Sequence, residues 1–179
     1  MRLNTLPLLL PDEGYETEYM SSAPLILSNL SSIVFDYISR QKIQGTHMTW
    51  YNVEQLPVIA PETFEQLLGK NTVAEFIKEQ VLHLTYTAWD MQPFAKDMGY
   101  DGEPFIWDEE DRIHRMAKLD ALFFNLYEIN EDDADYILST FPIVKRHDEE
   151  KHGRYLTRDL ILAYMRALKA GDTEVIVSV

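Results

Sequence analysis

The sequence predicts an α+β chain that is mostly helical, with a small sheet near the N-terminus followed by a helical C-terminal half. Apolar residues recur at spacings of three and four through most of the chain after residue 61. Aromatic, β-branched and proline residues gather in short stretches before that point. A hydrophobic content of 46% over 179 residues is enough to bury a core without cross-links. The chain divides accordingly into a partial α/β region over 1–61 and a helical region over 62–179.

Taken in order, Leu6 to Leu10 within "TLPLLLP" reads as a buried strand, since it is far shorter than the roughly 20 residues that span a bilayer. An acidic connector, "DEGYETEYMSS", leads into "SSAPLILSNLSSIVFDYISRQKI", which reads as one helix with Ser22 as N-cap and Pro24 in its first turn. Leu27, Leu30, Val34, Tyr37 and Ile38 would form its apolar face. Gly45 ends this region. "MTWYNVEQLPVIAP" favours extended structure, with Pro57 restricting it to an edge or a strand start.

Beyond it, "PETFEQLLG" predicts a short helix closed by Gly69, and "NTVAEFIKEQVLHLTYTAW" a longer one opened by Asn71 or Thr72. A short helix starts near Asp90. "DEEDRIHRMAKLDALFFNLYEI" is the clearest helix, with acidic residues in its first turn and Ile113, Met116, Leu119, Phe123, Leu126 and Tyr127 on the expected buried face. "NEDDADYILSTF" is a helix capped by Asn130, and "TRDLILAYMRALKAG" the last, between Thr157 and Gly171. "PIVKRHDEEKHGRY" fits either a helix with a solvated face or an ordered loop, and "DTEVIVSV" either an edge strand or a frayed tail.

With no cysteine, disulfides, thiolate zinc sites and cysteine nucleophiles are excluded, and the composition suits a reducing cytoplasm, the expected location. The five histidines never form the HxxxH or HExxH spacing that places two imidazoles on one helical face, so no metal site is expected. "WDEED" and "NEDDAD" sit where helices should begin, so capping explains their acidity. Glycine-rich phosphate loops and nucleophile elbows are absent from the sequence. The chain itself is therefore expected to be non-catalytic and to carry no cofactor.

A net charge of −14 and a pI near 4.6 oppose general affinity for nucleic acid, which rests on Lys and Arg neutralising phosphate. DNA contact would need a local basic patch. One candidate lies around the glycine turn, where Arg40 and Lys42 would meet phosphate, Gln44 and His47 base edges or phosphate, and Thr46 lies among them. A solvated helix end with a glycine cap explains the same residues more simply. The second candidate, Lys145, Arg146, Lys151, Arg154 and Arg158, is interleaved with Asp148, Glu149 and Glu150, a pattern more typical of a salt-bridged surface.

The stretch "LSNLSSIVFDYISRQKIQGTHMTWYNVEQLPVIAPE" resembles the C-terminal part of large bacterial restriction-modification polypeptides that join an adenine-specific DNA methyltransferase to a target-recognition region. "LTYTAWDMQPFAKDMGYDGEPFIWDEEDR", "KLDALFFNLYEINEDDADYILSTFPIVKRHDEEKHGRY" and "TRDLILAYMRAL" resemble the same group, in the same order, from Leu6 onward. The region is similar to the specificity domains of type I and TaqI-like modification enzymes, where a mixed domain with an "LPV" strand docks beside a helical element and reads DNA. The resemblance implies a fragment lacking the NPPY-type adenine pocket, so no catalytic residue carries over. It implies double-stranded DNA and the methyltransferase domain as partners. It implies S-adenosylmethionine as the parent's cofactor, with Mg as a further candidate, and a parent that is a site-specific DNA adenine methyltransferase, a restriction endonuclease or both. The alternative is a protein-interaction scaffold that touches no DNA.

Overall fold

The computed structural model describes residues 10–43 and 49–178. The architecture is mostly helical with one small antiparallel sheet, the class expected from the sequence. The strand expected at Leu6 to Leu10 lies outside the described residues apart from Leu10.

The first helical stretch differs from expectation in two ways. Helix α1 spans Glu16–Ser31 and begins within the acidic connector, with Glu16 and Glu18 in the first turn where the helix dipole favours them. Pro24 therefore lies inside the helix. The chain then breaks at Ser32, whose extended backbone (φ −72°, ψ 147°) starts a second helix, α2 (Ile33–Lys42), and whose hydroxyl caps it by accepting from the Phe35 N–H at 3.3 Å. Ser32 is thus an N-cap, not helix interior. α1 buries Pro24, Ser28 and Asn29 and leaves Leu27 45% exposed, whereas the expected Val34, Tyr37 and Ile38 on α2 are buried in the core or pack against it.

"MTWYNVEQLPVIAP" is also not a strand. Its first part forms a single helical turn, α3 (Trp50–Val53), where the Asn52 and Val53 N–H groups both donate to the Thr49 carbonyl. The "LPV" residues form no ladder and are held by side chains instead. After α4 (Pro61–Phe64), the expected short helix gives way to a hairpin of β1 (Leu67–Leu68) and β2 (Asn71–Thr72), paired Leu67 with Thr72 and Leu68 with Asn71. Gly69 makes the turn at φ 64°, a backbone that L side chains resist.

Helix α5 (Val73–Thr85) opens with a capping box in which Thr72 and Glu75 satisfy each other's backbone N–H. A 3₁₀ turn (Trp89–Met91) runs into α6 (Gln92–Asp97). Asp108 caps α7 (Glu109–Leu126) and Asn130 caps α8 (Glu131–Ser139), each by accepting a backbone N–H at 2.9 Å, so both acidic clusters serve as helix starts. "PIVKRHDEEKH" is the helix α9 (Pro142–His152), and α10 covers Leu156–Lys169.

The core centres on the pairing of α7 with α10, the most extensive helix contact among the described residues. Of the expected α7 face, Phe123 is buried, Ile113, Leu119, Leu126 and Tyr127 pack partly buried against the core, and Met116 stays 47% exposed, while Ala117, Ala121, Leu122 and Phe124 are buried besides. Alanine, absent from the expected face, is small enough to let α10 approach with Leu160, Ile161, Tyr164 and Leu168. α1 and α2 rest on α5, α7 and α8, and Val34 belongs to the same cluster as the helices after residue 61. The tail forms no strand, yet Val175 and Val177 pack on that cluster.

Candidate functional site

Two polar joints fix the direction of α2, and with it the corner where the first basic candidates lie. Asp120, on α7, accepts the Ile33 N–H at 2.8 Å and so caps α2 from outside. The enclosed carboxyl is pushed up to about 7, chiefly because burial disfavours its charge. One turn earlier, buried Asn29 accepts the Ile59 N–H at 3.0 Å and donates to the Tyr127 hydroxyl at 2.8 Å. Tyr127 in turn donates to the Pro57 carbonyl at 2.9 Å. Asn29 thus ties the "LPV" segment to α1 and α7 by hydrogen bonds that a strand partner would otherwise make.

Arg40 and Lys42 lie in the last turn of α2 and are exposed. Arg40 donates to both carboxylate oxygens of Asp36, at 2.9 and 2.6 Å, and its guanidinium lies 4.7 Å from the centre of the Phe141 ring. The carboxylate bonding raises its pKa. Arg40 is therefore oriented and partly neutralised. Gln44, Thr46 and His47 lie outside the described residues.

The second basic stretch is interleaved with carboxylates in space as well as in sequence. Lys145 pairs with Glu149 at 3.8 Å and Arg146 with Glu150 at 3.9 Å along α9. Lys151 pairs with Glu109, and Arg158 with Asp135. Asp148 instead accepts the Thr157 N–H at 2.6 Å, capping the start of α10.

A polar cleft of about 590 Å³, not anticipated from the sequence, lies between α5, α7 and the tail. Arg115 spans it, donating to Asp111 at 2.7 Å and to buried Gln80 at 2.9 Å. Next to it, His114 Nδ1 lies 2.7 Å from the Tyr164 hydroxyl, and the Lys118 ammonium sits 5.4 Å from the Tyr164 ring centre. Burial, and then the Arg115 charge, lower the Lys118 pKa. These groups are far apart in type, and only helical periodicity puts residues 111, 114, 115 and 118 on one face. Their geometry suits a polar ligand carrying both charge signs. No group of three or more metal-ligating side chains occurs among the described residues.

Comparison with known protein families, with curated proteins and with solved structures found no match.

Proposed function

We propose that this chain is a non-catalytic part of a restriction-modification enzyme, in which α5 to α10 form a scaffold and the end of α2 approaches the DNA target. The observation that carries this reading is the position of Arg40 and Lys42 together in the exposed last turn of α2, with Arg40 oriented by Asp36. Lys145, Arg146, Lys151 and Arg158 face carboxylates on an acidic body. Asp120 ties the start of α2 to α7, and Asn29 ties the preceding helix α1 to Tyr127. A helix end carrying two cations in its last turn is suited to phosphate, and Gln44, Thr46 and His47 follow it in sequence as candidates for base or phosphate contact. Most of the affinity would come from the methyltransferase partner, which would also bind S-adenosylmethionine, and the enzyme would work in the cytoplasm.

The alternative, a protein-docking scaffold without DNA contact, draws support from exposed apolar side chains beside α7, Ile106 at 93% and Trp107 at 63%. Duplex binding by the enzyme that contains this region separates the two. Substituting both Arg40 and Lys42 by Ala should weaken binding and lower the slope of log affinity against log salt by roughly 2. The same change at Lys145 and Arg146 should leave the slope unaltered. Equal slopes for all three proteins favour the docking scaffold.

A further inference from the structure

A second cavity, of about 330 Å³, lies behind the elbow between α1 and α2, closed by α5 and α7. Leu27, Val81, Leu84, Met116 and Leu119 give it apolar walls, with Leu27 and Met116 half-exposed at its mouth. We propose that this cavity binds a small apolar amine, an ammonium group on a hydrocarbon body, with Asp120 as its counter-ion.

The polar groups on the wall differ in what they have left to offer. Ser28, Ser32 and Thr85 donate their hydroxyls to carbonyls of their own helices, at 2.9, 2.8 and 2.7 Å. Arg112 donates to the Leu84 carbonyl at 2.8 Å and lies 3.7 Å from the Trp107 ring centre, and it makes no ion pair with Asp120. Asp120 uses Oδ1 for the Ile33 N–H, and among the described residues no group donates to Oδ2. An enclosed carboxyl with one free oxygen, raised in pKa by burial, gains most from a cation that brings its own apolar body. The volume falls within the range of small-molecule sites, about 300 to 1,000 Å³. The chain's net charge of −14 draws cations towards it.

Titration calorimetry of the full chain with hexylamine, hexanol and hexanoate tests the assignment. Hexylamine should bind at least tenfold tighter than hexanol, and hexanoate should not bind. The Ile33 amide resonance, bonded to Asp120, should shift with the amine and stay in place with the alcohol. Asp120→Asn should bring the amine down to the alcohol's affinity, and Met116→Trp, which fills the cavity, should abolish both. Equal affinity for hexylamine and hexanol, or amine binding that survives Met116→Trp, overturns the proposal. If Asp120→Asn does not fold, the three-ligand series and the Ile33 signal still decide.

Discussion

Helix α7 makes two joints of opposite character. Towards α10 it presents alanines and phenylalanines, and the contact is broad, apolar and shared by many side chains. Towards the α1–α2 elbow it presents Asp120 and Tyr127, and the fit depends on a few hydrogen bonds. Apolar burial is non-directional and distributes its stabilisation, whereas a hydrogen bond fixes one angle and fails when either partner is lost. The first joint supplies stability, and the second sets where the end of α2 points.

Truncation within the apolar joint should have the largest effect. Phe124→Ala, at a fully buried site, should lose about 3 to 5 kcal/mol in denaturant unfolding, with one transition for the whole chain. A separate early transition for α1 and α2 would break the comparison, because it would make the elbow an independent unit.

The acid at the elbow should give a pH signature. Its pKa is about 7 folded against 3.8 as a free side chain, so the folded chain holds the proton between those values. Stability from this group should be retained below pH 4 and decline as pH rises towards 7, by on the order of 2 to 4 kcal/mol. Asp120→Asn should flatten that slope in melts across the same range.

At the other elbow bond, Asn29→Ala leaves the Ile59 N–H without its partner and should cost about 1 to 3 kcal/mol. Hydrogen exchange should show residues 57 to 59 losing protection while α10 keeps its own, which sharpens the distinction between the joints. The hairpin is a comparable single-point dependence. Gly69→Ala places a Cβ 2.6 Å from the Gly171 carbonyl oxygen on a left-handed backbone, and should lose more than about 1 kcal/mol by thermal melting. Arg40→Ala should change stability least, by less than about 1 kcal/mol, since its ion pair with Asp36 is exposed.

The same division explains what was legible in the sequence. The apolar periodicity and caps of α5, α7, α8 and α10 are local signals, and Thr72 and Asn130 do what their positions imply. The full width of the buried face of α7 was not legible, because periodicity favours large apolar residues and cannot see that Ala117 and Ala121 admit a neighbouring helix. The break at Ser32 and the capture of the "LPV" segment by Asn29 depend on Asp120 and Tyr127, far away in sequence. For the candidate site, the sequence located Arg40 and Lys42 on a helix end. It could not show that Asp36 and Phe141 engage Arg40, or that Arg115, His114 and Lys118 line a cleft.

The close meeting of Gly69 with Gly171 has a practical use. Since Lys70 also pairs with Glu174 at 3.2 Å, the final segment is held at its root and runs along the cleft beside His114. A reporter dye attached to that segment should sense ligands entering the cleft.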